Sequence, residues 1–219
     1  KGLEPLAKLI MAKRELDPFR KAALYVNAEK GVANEEEALA GARDIIAESI
    51  SDDHFARLRI RKLFVREGVL SSRVVKGKEL DGINYQNYYD WQEPVMKAPS
   101  HRILAMMRGE AEGFLTLRAT PPEETASALL ESLFVKGTNA ASEQVRAAVQ
   151  DSYKRLLAPS METEIRLETK KRADAEAIRV FAENLRQLLL APPLGEKTVL
   201  AVDPGIRTGC KICVLNRQG

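Results

Sequence analysis

A mainly α-helical fold is predicted by three features of the chain. Apolar residues recur at three- and four-residue steps along most of its length, the longest such run spans roughly 30 residues from Pro159 to Leu190, and strand-like patterning is confined to short stretches. The architecture these features imply is an elongated multi-helix bundle with one long helix, ending in a β-hairpin. Residues 1–195 form the helical region and 197–219 the hairpin.

Composition narrows the class. At 219 residues with 45% hydrophobic content, the chain can form one or two domains with a sizeable core. Its longest apolar runs, such as Leu188–Ala191, fall far short of the roughly 20 residues that cross a bilayer, so neither a membrane span nor a membrane partner is expected. No secretory signal is visible, and Cys210 and Cys213 are the only cysteines, which argues against a disulfide scaffold and fits a reducing, cytoplasmic setting. The net charge of +3 is mildly basic and by itself implies no nucleic acid. The chain starts at Lys1 without an initiator Met and stops soon after a hairpin, as a piece of a longer protein would.

The elements follow in order. Leu6, Leu9 and Ile10 share one face of a helix from Leu3 to Leu16, and Pro18 opens another through Tyr25 and Val26. Asn34 caps a helix from about Glu35 to Ser49, in which Gly41 marks close helix packing because it costs about 1 kcal/mol against Ala. Ser51-Asp52 starts a helix that runs to about Glu67 and stops at Gly68. Residues 69–98 are irregular by pattern, interrupted by Gly77, Gly82 and Pro94. Ser100 caps a helix from His101 to about Gly113, Phe114–Ala119 alternates as a short strand, and helices follow at about 123–135 and 142–157. The longest helix starts at Pro159-Ser160 and runs about 45 Å. Ile165, Ala173, Ala177, Phe181, Leu185 and Leu188 form its stripe, and its first half is strongly charged, as in a strut that leaves the bundle. Pro192-Pro193 ends it.

Several constellations can carry chemistry. Arg59, Lys62 and Arg66 lie at i, i+3 and i+7 along one helix edge, with Arg73 and Lys76 close behind in sequence, and Glu67 is the only acid between Arg57 and Lys78. This is the densest local positive excess and a candidate phosphate-binding edge; a solvated face paired with acids from elsewhere in the fold is the competing reading. Tyr85, Tyr88, Tyr89 and Trp91 can stack on bases, but filling the core between helices is the simpler role. His101 has only His54 as a fellow histidine and no partners at catalytic spacing, so local hydrogen bonding is expected of it and structural ion pairs of Arg108 and Glu110. Cys210 and Cys213 have zinc-knuckle spacing, yet on a strand residues three apart project to opposite faces.

Asp203 stands between an apolar strand and a Gly-rich turn, followed by a second apolar run. That arrangement opens two kinds of domain: ribonuclease-H-like nucleases, where the acid joins others to hold Mg²⁺, and actin-like ATPases, where the turn cradles phosphate. Gly205 and Gly209 permit close backbone approach and Arg207 can neutralise charge. Any metal at Asp203 needs partners from outside this chain.

Finally, the strings Ala38-Leu-Ala-Gly-Ala-Arg-Asp-Ile-Ile-Ala-Glu48, Arg108-Gly-Glu-Ala-Glu-Gly113, Asp151-Ser-Tyr-Lys-Arg-Leu-Leu-Ala-Pro-Ser160, Asn184-Leu-Arg-Gln-Leu-Leu-Leu-Ala-Pro-Pro193 and Asp203-Pro-Gly-Ile-Arg-Thr-Gly-Cys-Lys211 resemble the bacterial Tex family of transcription accessory proteins. The resemblance covers essentially the whole chain. It implies a helical region with helix-turn-helix-like elements, followed by the first hairpin of a truncated ribonuclease-H-like (YqgF) domain. It further implies a cytoplasmic protein that binds RNA or DNA mainly through domains missing here, with transcription machinery or the ribosome as partner. Asp203 matches the first metal-binding acid of resolvase-type YqgF relatives, so Mg²⁺ enters only if that domain of the longer protein is active; the chain itself calls for no cofactor and holds no complete catalytic set.

Overall fold

Helical periodicity yields helices wherever a cap and a buried face coincide. In the computed structural model the described residues are 2–12, 17–205 and 209–218, and they divide into two compact units, 1–177 and 178–219. Helix α1 (Glu4–Met11) buries Leu6 and Ile10, while the expected continuation to Leu16 falls on residues 13–16, outside the described residues. Asp17 caps α2 (Pro18–Ala22) by accepting from the Phe19 and Arg20 N–H groups. In α3 (Glu35–Asp52) the Asn34 side chain accepts from Glu37 N–H at 2.9 Å, and the Glu37 carboxylate accepts from Ala33 N–H at 2.7 Å. Three acids in its first turn favour the positive end of the helix dipole. A Cβ on Gly41 would collide with Leu3, so the glycine marks the close packing of α1 on α3.

The next helix starts later than its Ser51-Asp52 signal suggested. α3 continues to Asp52, and Asp53 caps α4 (His54–Glu67), accepting from Ala56 N–H at 2.7 Å. α4 turns Ala56, Ile60, Leu63 and Phe64 into the core.

Residues 69–98 are irregular only in part, at 75–82 and 95–98. They form β1 (Val69–Val74) and β2 (Asp90–Pro94), joined across a 3₁₀ helix at Ile83–Tyr88. With β3 (Leu115–Thr120) they make an antiparallel sheet in the order β2-β1-β3, Ser72 standing opposite both Trp91 and Leu117. The strands escape a pattern search because the buried side of β1 alternates Leu70 with a serine, Ser72, and because β2 is short, polar and ends in proline. Helix α5 (Ser100–Ala111) precedes β3, but Pro99 and not Ser100 stands at its N-cap; the Ser100 hydroxyl donates instead to Glu176.

After α6 (Glu123–Phe134), the two helices expected at 142–157 and from Pro159 are one. α7 (Ala140–Asp151) passes through a π-helical segment at Ser152–Leu157 into α8 (Ala158–Leu189). Pro159 has no N–H and its ring would crowd the carbonyl four residues back; the wider π turn accommodates it, and Ala158 N–H bonds to the Tyr153 carbonyl five residues back. Within this turn Ser152 donates to the Ala47 carbonyl of α3 at 2.8 Å, and burial pushes the Tyr153 phenol up to about 12.

The charged first half of α8 is not a solvated strut. Order β2-β1-β3 leaves one edge of β3 without a strand, and side chains occupy it. Glu162 accepts from Ala119 N–H at 2.8 Å and from the Arg118 guanidinium at 3.0 Å; Arg166 donates to the Leu117 carbonyl at 3.2 Å and pairs with Glu110, which accepts from Leu117 N–H at 3.2 Å. Further along, Arg172 donates to the Val95 carbonyl at 2.8 Å and to those of Met96 and Ala98. Arg61 of α4 grips Glu164, its second bond measuring 3.1 Å.

The second unit holds the hairpin of β4 (Val199–Gly205) and β5 (Gly209–Leu215), paired antiparallel with Leu200 opposite Val214 and Val202 opposite Ile212. These four apolar side chains are exposed, as are Ile178, Phe181, Leu185 and Leu188 on the last turns of α8. Among the described residues no helix is long and apolar enough to cross a membrane.

Two predictions follow from the fastening of α8. Glu162→Ala leaves a buried strand N–H without its acceptor and should cost about 1–3 kcal/mol in urea unfolding, whereas an unchanged midpoint would show that the edge is held by packing alone. The Arg61 hydrogen bond holds the Glu164 carboxyl below its ordinary value of 4.5, so the stability it adds is complete above that pH and is lost as pH falls through the lowered value. Acid unfolding followed by circular dichroism should therefore fall less steeply below about pH 4.5 in Glu164→Gln than in the parent chain.

Candidate nucleic-acid interface

α4 sorts its cations by face. Arg57 and Arg61 point toward α8, Arg57 donating to the Ser51 carbonyl and the Ser160 hydroxyl, both at 3.2 Å, and Arg61 pairing with Glu164. On the other side Arg59, Lys62 and Arg66 are all exposed. The i, i+3, i+7 spacing keeps them on one solvent face, beside the face that Ile60, Leu63 and Phe64 turn into the core. Their partners differ. Arg66 pairs with its neighbour Glu67 at 2.6 Å, the Arg59 guanidinium lies 5.6 Å from the centre of the Phe55 ring, and Lys62 makes no hydrogen bond or ion pair among the described residues.

Arg73 and Lys76 are also exposed and unpaired among the described residues, but they belong to a different element. Arg73 sits near the far end of β1 opposite Asp90 and Thr116, and Lys76 lies in the turn beyond. The residues that one helix holds on a single face are therefore Arg59, Lys62 and Arg66.

Other expected sites resolve into structural roles. Tyr85, Tyr88, Tyr89 and Trp91 are half-buried against the core; Tyr85 donates to Glu112 at 2.9 Å, Tyr89 to the Glu79 carbonyl at 2.6 Å, and Arg102 lies 4.6 Å from the centre of the Trp91 ring. Burial raises the Tyr85 and Tyr89 phenols, with the neighbouring acids adding to the shift. His101 sits in the first turn of α5, exposed and without the expected local hydrogen bond among the described residues. Glu110 does form an ion pair, with Arg166, while Arg108 stays exposed and unpaired among the described residues. Cys210 and Cys213 are free, exposed thiols on β5.

Asp203 is exposed on β4 opposite Lys211, and the turn residue Arg207 lies outside the described residues. No group of three His, Cys, Asp or Glu side chains able to hold a metal occurs among the described residues. Mg²⁺ takes near-octahedral oxygen ligation from one or two carboxylates together with waters or substrate phosphates, and Asp203 is the one carboxylate on the two strands of the hairpin among the described residues.

Comparison with known proteins supplies the family. A model described as Tex central region-like matches residues 13–181. The chain belongs to this family. It is similar to Protein tex of Bordetella pertussis, 40% identical over 100% of the chain and 29% of that protein, and to the Transcriptional accessory protein Tex of Neisseria gonorrhoeae, 34% identical over the same shares. A more distant relative is the human S1 RNA-binding domain-containing protein 1, 28% identical over 98% of the chain and 23% of that protein. The chain thus spans under a third of the length of the curated relatives it matches.

Sequence reasoning missed Phe55. It is 52% exposed on the same solvent face as the three cations, and the signal that finds it is its spacing of four residues from Arg59.

Proposed function

We propose that this chain is the helical scaffold of a nucleic-acid-binding transcription accessory protein, and that the solvent face of α4 adds sequence-independent contacts to the phosphates of RNA or DNA. The observation that carries this reading is the set of three exposed cations on one helix face, of which only Arg66 has an acidic partner among the described residues. Lys62 presents a compact point charge and Arg59 a planar fork of donors, and both suit phosphate oxygens. The relatives' names support the nucleic-acid class, and the hairpin β4–β5 is read here as the opening of a YqgF-type domain in the longer protein.

Three phosphate contacts imply weak binding with a salt slope of about −2.7, or roughly a forty-fold loss of affinity for a fourfold rise in salt. In a filter-binding titration across salt, Arg59→Glu, Lys62→Glu and Arg66→Glu together should lower the affinity and flatten that slope. Unchanged values would identify the face as merely solvated.

A further inference from the structure

Phe55, Arg59, Lys62 and Arg66 form one ridge. Their steps of four, three and four residues keep them within an arc of about 60° on a helix of about 3.6 residues per turn, and they extend along about 16 Å of its axis. The ridge begins with an aromatic ring and continues as cations. A half-exposed phenylalanine is unremarkable alone. Here the ring has Arg59 beside it on its own helix, with the guanidinium 5.6 Å from the ring centre, and the core is already served from a neighbouring face by Ala56, Ile60, Leu63 and Phe64. Phe55 therefore offers an apolar π-surface in line with a track of positive charge.

We infer that this ridge is a subsite for unpaired nucleic acid, in which Phe55 stacks on a base while Arg59, Lys62 and Arg66 follow the flanking phosphates. The inference rests on the phosphate-binding reading above and narrows its ligand to single strands. A duplex keeps its base faces stacked on the neighbouring pairs, so it can engage the cations but gives nothing to the ring. A single strand offers both. Stacking contributes about 1–3 kcal/mol per base and tolerates any base, so the subsite discriminates by strandedness and not by sequence.

The test uses the chain with two probes, a short labelled oligouridine and a fully paired RNA duplex, titrated by fluorescence anisotropy at several salt concentrations. Phe55→Ala should weaken oligouridine binding roughly ten-fold while leaving duplex affinity and both salt slopes unchanged. Phe55→Trp should preserve oligouridine binding, and the added indole emission, relative to the parent chain, should be quenched by oligouridine and not by duplex. Since Phe55 lies outside the core, circular dichroism should show both variants folded. If Phe55→Ala leaves oligouridine affinity unchanged, as it would were the ring a contact for a protein partner, the stacking role is overturned, and an equal loss on both probes overturns it as well. In either case the charge-reversal variant reports separately on the basic face. No binding of either probe by the parent chain brings down both readings.

Discussion

The edge of β3 is the constraint on which the first unit depends. A sheet of three strands has two open edges, and each unpaired N–H or carbonyl buried beside a helix costs about 1–3 kcal/mol if left without a partner. Here Glu110, Glu162 and Arg166 take the positions that a fourth strand would supply, with both the N–H and the carbonyl of Leu117 and the N–H of Ala119 engaged. Because Glu162 and Arg166 are one helical turn apart on α8, satisfying the strand also fixes the rotation of that helix. Arg172 continues the same fastening to the segment between β2 and α5, and Glu176 to Ser100 at the start of α5. Charged residues that read as a water-facing strip are thus the attachment of helix to sheet.

The placement of α4 follows from that attachment. Arg57 and Arg61 reach Ser160 and Glu164 on α8, and the apolar side of α4 packs into the core. With two faces committed, the third carries Phe55, Arg59, Lys62 and Arg66 outward. The positive excess near residues 57–78 therefore divides into a structural half and a free half. Net charge says nothing of this division; the partners do.

Much of the fold was legible because helices announce themselves through caps and spacing. Asn34 as a cap and the helical spacing that follows it sufficed for α3, and Phe114–Ala119 alternated cleanly enough to reveal β3. The partners of β3 stayed hidden because Ser72 occupies a buried position that a pattern search expects to be apolar. Pro159 suggested a helix start, since nothing local in the sequence shows that a wider turn absorbs it. At the candidate interface, spacing placed Arg59, Lys62 and Arg66 on one edge, whereas the pairing of Arg66 with Glu67 and the exposure of Phe55 depend on three-dimensional surroundings.

Continuity through the wide turn has a mechanical result. Ala141, Val145, Val149, Tyr153, Leu157, Met161, Ile165, Thr169 and Ala173 are buried at unbroken steps of four, and on an α-helix each such step advances about 40° around the axis. The buried line winds like the thread of a screw. It begins against α3, where Ser152 meets Ala47, and by Glu162 it has come round to β3. The π turn takes back part of that winding, so its position along the thread sets where one neighbour gives way to the next. A single uninterrupted helix can in this way clamp a helical layer at one end and a sheet at the other without a loop between them.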